Sequence, residues 1–502
     1  MPDLSGVQPI VFPLEGGLVL DRSTFSMQPG MAFELENFEP DTKGGYRRIN
    51  GYSKWNTNPV PYTASDSEPV LMSAFFKGQV IAARGTAIYK AGTTGSWTSV
   101  DTGRTGALKY SFYRYTLAGT DFIVWCDGAN YAAKYDGTTV TDLNTTGAPT
   151  NPKYVAGFRN TLFFAGMSAS PQELVFTAPY SDSDFTPASG AGSIAVDSPI
   201  TGLVPFRDNL YIFAEERIYR LRGSTIADFV LEPVTREIGC KAPNTIQEFA
   251  GDIIFLGPDG LRTVAGTERI GDVELGTLSR PVQPLFENLI DIDQFESVVI
   301  PDKTQYRIFF VNTDARTRPA TSGVICVRKG DTYEFAELKG IQPASTDYNV
   351  YQGESYIMHG GFDGYVYRQE QSNTFDGNTI IGRYRSPDIT GGDAGIRKNF
   401  QRVIINYAPT GTVNSDLFLR YDYEAPDVPR PAAYPFDSTK VVAIYGTSAY
   451  GTATYGGQSN PLVRQPVEGS GFAVALRVVD NGVSAPYSLK GFQLEFDVAA
   501  RR

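Results

Sequence analysis

One strand motif recurs at intervals of about 40 to 60 residues between residues 70 and 370. Each copy runs from an aromatic through a polar turn into an apolar stretch. A second turn then leads into a strand that often ends aromatic-basic. Phe76-Lys77-Gly78-Gln79-Val80-Ile81-Ala82-Ala83 leads into Ile88-Tyr89-Lys90. Phe206-Arg207-Asp208-Asn209-Leu210-Tyr211-Ile212-Phe213-Ala214 leads into Ile218-Tyr219-Arg220. Tyr351-Gln352-Gly353-Glu354-Ser355-Tyr356-Ile357-Met358 leads into Tyr365-Val366-Tyr367-Arg368. Looser copies begin at Phe158-Arg159-Asn160, at Phe249-Ala250-Gly251-Asp252 and near Tyr306. A unit this short cannot bury its apolar face alone, so the copies must pack against one another; short strands at this period predict β-propeller blades. Six copies are clear and a seventh is a candidate. The expectation is an all-β fold with a propeller of six or seven blades over residues 61–380.

Turn chemistry marks hairpins within the repeats. Phe122-Ile123-Val124-Trp125-Cys126 runs into Asp127-Gly128, then Tyr131 to Tyr135, then Asp136-Gly137. Asp-Gly between apolar runs is a strong hairpin signal, and Asp259-Gly260 and Asp363-Gly364 repeat it. The copy around residues 291–341 is the longest, with Asn312 to Ser322 as an insertion at a hairpin tip. Arg280 to Ile290, with Pro281 near its start, is the one short helix expected, in a connection between blades.

The ends of the chain differ from the repeats. Residues 1–60 offer short strands at Gly16–Asp21, Phe33–Phe38 and Gly44–Tyr52, too few for a core of their own, so this segment is expected to dock onto later parts of the chain. From 381 to 502 the period is lost. Arg402–Tyr407, Ser415–Tyr421, Phe472–Val478 and Leu489–Phe496 read as strands, several of them alternating apolar with polar. A small β-sandwich-like domain with one long loop, from about Ala425 to Pro466, is the reading for this part.

Composition limits what such a platform does. Among 502 residues, 44 are Lys or Arg and 55 Asp or Glu, a net charge of −11, which argues against wrapping nucleic acid through phosphate neutralisation. An acidic wall would instead let DNA pass without sticking. The three cysteines, Cys126, Cys240 and Cys326, are far apart and in no metal spacing, as buried thiols in a reducing compartment would be. Met1 to Pro13 has no basic stretch before an apolar core, and no run is long enough for a membrane helix, so neither signal peptide nor membrane span is expected.

No catalytic constellation emerges. His359 is the sole histidine, placed inside a predicted strand, where a core or turn role outweighs a Ser-His-Asp triad. Thr94-Gly95-Ser96-Trp97 has the end of a sialidase-type Asp-box without its aspartate. Asp291, Asp293 and Glu296 cluster, but without the spacing of a calcium loop; a solvated face is the simpler reading. Tyr445-Gly446-Thr447-Ser448-Ala449-Tyr450-Gly451-Thr452-Ala453-Thr454-Tyr455-Gly456 is either a packed loop or an adaptable contact loop. No catalytic, cofactor-binding or metal-ligating residue is assigned, and contacts to partners or a lumen are left open.

Two segments go beyond generic blade signals. The first is Gly16-Gly17-Leu18-Val19-Leu20-Asp21, Met27-Gln28-Pro29-Gly30, Leu35-Glu36-Asn37-Phe38 and Gly45-Tyr46-Arg47-Arg48-Ile49-Asn50-Gly51-Tyr52. The second is Leu210-Tyr211-Ile212-Phe213, Ile218-Tyr219-Arg220-Leu221-Arg222-Gly223, Ile238-Gly239-Cys240-Lys241-Ala242-Pro243-Asn244-Thr245-Ile246 and Ile253-Ile254-Phe255-Leu256-Gly257-Pro258-Asp259-Gly260-Leu261. Together, over residues 14 to about 270, they resemble the tail nozzle, or packaged-DNA stabilisation, proteins of short-tailed, podovirus-like bacteriophages. The resemblance implies a non-enzymatic virion component made in the host bacterial cytoplasm and needing no cofactor. It implies a homo-oligomer, a hexameric ring below the portal and adaptor proteins, with tail fibre, spike or needle proteins around or below it. Such a ring retains packaged DNA as a head-tail stopper and lets it leave through the lumen at ejection, without sequence-specific binding. Two other readings stand beside it: a carbohydrate-binding or carbohydrate-cleaving, depolymerase-like propeller, and a propeller scaffold inside a cell.

Overall fold

The computed structural model describes residues 7–62, 68–106, 108–265, 277–287, 289–310, 323–410, 413–425, 427–428, 430–437, 462–483 and 485–501, with side chains to residue 498. Asn312 to Ser322 and the tyrosine-rich Tyr445 to Gly456 lie outside the described residues. No helix among the described residues is long and apolar enough to cross a membrane.

The repeats form a propeller. Six small antiparallel sheets follow in chain order over 72–102, 111–142, 154–195, 200–233, 247–263 and 345–372. All have four strands except the fifth, which shows three. Between the fifth and the last, the run 296–338 begins a nine-stranded sheet. Its first strand, Glu296–Ile300, packs against Gln247–Phe249 on one side and Ser345–Tyr351 on the other, so this run fills the remaining sector of the ring. Alternate residues point between sheets. Phe163, Phe176, Leu210, Ile212 and Leu221, for example, make a closed core between the third and fourth blades.

The first hairpin of each sector turns with a non-glycine residue in the left-handed region. These are Lys77, Ala118, Arg159, Arg207, Ala250, Thr304 and Gln352, all with φ between 48° and 54°. Six of these loops have two residues, and such hairpins need this hand because it matches the twist of the flanking strands; Thr304 instead ends the four-residue loop after Ile300. Glycine or asparagine supplies the second positive φ at Gly78, Gly119, Asn160, Gly251 and Gly353.

The N-terminal segment is woven through the rest of the protein. Gly51–Lys54 is the fourth strand of the last blade, antiparallel to Val366–Ser372, and so closes the ring. Glu34–Glu36 lies between Thr332–Leu338 and Gly382–Arg385, joining the propeller half of the nine-stranded sheet to its C-terminal half. Val7–Pro13 and Tyr46–Arg48 both pair with the final strand, Tyr487–Arg501. Between Glu34–Glu36 and Phe38–Pro40 the chain turns at Asn37, with φ of 54°. Its side chain holds that turn, donating to the Ile381 carbonyl and accepting from the Lys339 amide, both at 2.9 Å.

The C-terminal part is sheet-rich. Gly382–Arg385, Val474–Asp480, Asn414–Tyr421 and Tyr434–Asp437 complete the nine-stranded sheet. A seven-stranded sheet is built on the long strands Ile396–Pro409 and Tyr487–Arg501. Rings meet in the interior: Tyr384 of the nine-stranded sheet stacks on Phe492 of the seven-stranded one at 5.8 Å, and within the latter Phe38 meets Tyr487 edge-on at 5.9 Å.

Two local expectations need correction. Gly16–Asp21 is no strand and makes only the isolated bridge of Leu18 to Ala32; its two glycines have φ of 92° and 66°, outside extended geometry. The segment Arg280 to Ile290 has no α-helix among its described residues. It forms 3₁₀ turns over Arg280–Leu285, with Val282 non-helical, because Pro284 cannot donate the hydrogen bond that would continue a helix.

Candidate functional site

The first strands of the sectors surround an axial cavity of about 720 Å³. Two buried carboxylates stand on its wall. Glu296 Oε1 accepts from Lys109 Nζ at 2.6 Å and from Asn244 Nδ2 at 2.9 Å, and its Oε2 accepts from Thr346 Oγ1 at 2.9 Å. Asp347 Oδ2 accepts from the Phe75 amide at 2.7 Å and pairs with the Arg114 guanidinium. Burial pushes both carboxyls above their ordinary range, against the pull of Lys109 on the first and of Arg114 on the second. Each carboxylate is therefore matched to its own cation. The pairs also join sectors: Arg114 Nε donates to the Phe75 carbonyl of the first blade, while Asp347 belongs to the last.

The left-handed turns share a second feature. Lys77, Arg159 and Arg207 each lie over the aromatic just before them: Phe76 at 5.2 Å, Phe158 at 5.7 Å and Phe206 at 4.9 Å. Each then reaches a turn of the following blade. Lys77 donates to the Asp136 carbonyl at 2.7 Å, Arg159 to Asp208 at 2.7 Å and Arg207 to the Gly251 carbonyl at 2.8 Å. Arg328 meets the Ala250 carbonyl from the other side. The aromatic-cation pair in the repeat is thus a clasp between blades. The sequence displayed the pairs, but not the neighbour each one reaches.

The structure disperses the other residues singled out in the sequence. His359 is buried in the strand Glu354–Gly360, stacked on Tyr367 at 5.0 Å and edge-on to Tyr52 at 4.9 Å. Burial lowers its pKa to about 3, so it is a neutral core residue. Trp97 Nε1 donates to the Asn58 carbonyl at 2.9 Å and Asn56 donates to the Gly95 carbonyl at 3.1 Å, tying the entering chain to the first blade. Asp127, Asp136 and Asp363 accept amide hydrogens two or three residues on, as turn residues do. Asp259 instead pairs with Arg262 at 2.7 Å. Glu296 faces the axial cavity while Asp293 is exposed. Among the described residues, no three His, Cys, Asp or Glu side chains converge to hold a metal ion. Cys126, Cys240 and Cys326 are buried free thiols.

The class this architecture defines is the β-propeller proteins, with a second, sheet-rich part welded on. No protein-family model matches the chain, and no curated protein matches it. Solved structures do. The computationally designed Ika8 protein is 11% identical over 63% of this chain and 99% of its own, with a TM-score of 0.37. The extracellular domain of a putative one-component system from B. thetaiotaomicron is 10% identical over 70% of this chain, with a TM-score of 0.43; the match spans 43% of that domain. An ancestral GH74 enzyme is 10% identical over 65% of this chain and 54% of its own, with a TM-score of 0.41.

Proposed function

We propose that this protein is a structural subunit of a short bacteriophage tail, a nozzle that assembles as a homo-oligomeric, hexameric ring. It sits below portal and adaptor proteins in the virion, retains packaged DNA and releases it at ejection. The observation that carries the reading is the position of the first resembling segment, residues 16–52. Its strands join the propeller to the C-terminal sheets and close the ring of blades. This resembling segment therefore ties the propeller to the C-terminal sheets by strand pairing, as a load-bearing ring subunit requires. The pairing of the two buried cavity carboxylates with cations agrees with a role in building rather than turnover. Ring contacts between such blocks would be heterologous and close by rotation.

The test is the native mass of the purified chain together with class averages from negative-stain electron microscopy. Sixfold rings with a central hole are the expected result. A chain that stays monomeric alone and also when mixed with a matching portal–adaptor complex would refute the nozzle reading.

A further inference from the structure

The net charge of the chain is unevenly placed. Residues 61–380 hold 26 Lys or Arg against 37 Asp or Glu, which is the whole excess of −11. Residues 381–502 hold 13 against 11 and residues 1–60 hold 5 against 7, so the two ends together balance. A contact between two propellers would set like charge against like, which opposes association. A second copy therefore approaches an acidic propeller best with its C-terminal part.

That part carries a strained turn. Asp422, Tyr423 and Glu424 are three consecutive residues with left-handed backbone, at φ of 47°, 58° and 59°. Non-glycine residues visit this region singly rather than in runs, because Cβ crowds the following carbonyl. The surroundings hold the turn. Asp422 Oδ1 accepts from the Phe472 amide at 2.6 Å and from the Ala473 amide at 3.2 Å. Glu424 lies 3.5 Å from Arg420 and 3.9 Å from Arg385. Strain held this firmly gathers at binding and switch sites.

The turn presents Tyr423, which is 47% exposed. Partial burial first, and then the Asp388 and Asp422 carboxylates, raise its pKa, so Tyr423 stands beside Asp388. Thr24 reaches the same Asp388, and the next residue, Phe25, is 65% exposed. Two aromatics thus stand in solvent around one buried carboxylate. Burial, against the pull of Glu424, lowers the pKa of Arg420, and the like charge of exposed Arg430 adds to it, which puts Arg430 at this spot as well. Aromatic side chains beside arginine are the composition of interface anchors.

We propose that the surface around Phe25, Tyr423 and Arg430 docks on the acidic propeller of a second copy of this chain, as the head-to-tail joint of the ring. The inference rests on the ring reading only in requiring that second copy. Such a joint is heterologous: one face of each subunit meets a different face of the next. Arg430 brings the charge that the propeller attracts, and the two aromatics bring the area to be buried.

Sedimentation velocity on the full chain, at low and high salt, tests it. The wild type is expected to sediment as an oligomer that high salt weakens. Tyr423→Gly separates docking from folding, because glycine adopts left-handed backbone without strain. It should melt at the wild-type temperature or above, while its self-association falls at least about tenfold. A residue serving the fold alone would lower the melting temperature instead. Phe25→Ser and Arg430→Glu should weaken association likewise, whereas Phe362→Ser, at an exposed aromatic on the last blade, should not. A wild type that stays monomeric overturns the proposal. Sixfold rings that withstand Tyr423→Gly overturn this joint and leave the nozzle reading standing; an oligomer of another symmetry that Tyr423→Gly dissolves does the reverse.

Discussion

Arg307, in the sector that begins the nine-stranded sheet, and Glu370, in the last blade, form a salt bridge of 2.6 Å with the guanidinium fully buried. Arg307 also donates to Gln305 at 2.6 Å, to Gln369 at 3.2 Å and to Glu39 of the N-terminal segment at 3.2 Å. Lys303 Nζ bridges Glu39 and Glu370, each at 2.6 Å. Burial pushes Glu370 upward, but Lys303 and Arg307 outweigh it and hold the carboxyl well below its usual range. Arg307→Ala leaves the buried carboxylates of Glu39 and Glu370 to share Lys303, and losing one partner of such a network costs up to about 3–5 kcal/mol. A chemical melt read by fluorescence should show that loss. A cost below about 1 kcal/mol would mean that the network does not hold the three segments together.

The acid limb of the stability curve should carry the signature of His359. Its folded pKa is lowered to about 3, first by burial, with Asp363 pulling the other way. An unfolded histidine titrates near 6.5, so the unfolded chain binds the extra proton first. The contribution is complete above about pH 6.5 and is lost as pH falls from there toward 3, by up to about 1.4 kcal/mol per unit. Glu370, with its depressed pKa, adds a second loss only below about pH 4.5. The raised pKa values of Glu296 and Asp347 act oppositely, because those folded carboxyls gain protons earlier than unfolded ones. Between pH 7 and 5.5 the histidine is therefore the one of these groups whose titration lowers stability as pH falls. His359→Gln should flatten that window, and an unchanged slope in urea titrations would rule the assignment out.

The propeller was legible because its determinants are local. Each blade is a run of hairpins whose turn residues and apolar alternation lie within a few residues of one another, as at Phe206-Arg207-Asp208-Asn209. What could not be read is pairing across long separations. Nothing in Glu34-Leu35-Glu36 says that it lies between residues near 337 and 384. The same holds for Arg48, whose buried guanidinium reaches the carbonyls of Ile380 and Gly482. The 280–290 segment misled because its apolar spacing is helical while Pro284 forbids continuation. The ion pairs of the axial cavity were not legible because Lys109 and Glu296, like Arg114 and Asp347, are far apart in the chain and meet only when the blades close into a ring.

Ring closure depends on one small residue. A Cβ on Gly51 would lie 1.9 Å from the Thr374 carbonyl oxygen, a backbone atom that cannot swing aside. Gly51→Ala should loosen Gly51–Lys54 from Val366–Ser372 and cost at least about 3 kcal/mol. Gly44 is the control. It has open space around it but φ of 83°, so Gly44→Ala carries only the strain of a left-handed alanine, about 1–2 kcal/mol. Hydrogen exchange resolved by segment separates the two, since only the Gly51 variant should lose protection in the last blade. Equal and small effects from both would mean that the closing strand tolerates displacement.

The cysteines give a probe of the whole fold at once. Cys126 lies in the second blade, Cys240 before the fifth and Cys326 in the nine-stranded sheet, all buried. Burial pushes every one of these thiols up, Cys240 to about 11. The thiolate is the reactive form, so at neutral pH these sulfurs are both covered and protonated. A chromogenic disulfide reagent should find no reactive thiol in the native protein and three after denaturation. Because each sulfur reports on a different sheet, the order in which they become reactive in rising urea maps which sheet opens first. The network around Arg307 predicts that Arg307→Ala exposes Cys326 at lower urea than Cys126. Simultaneous exposure of all three in that variant would show that the two parts unfold as one unit.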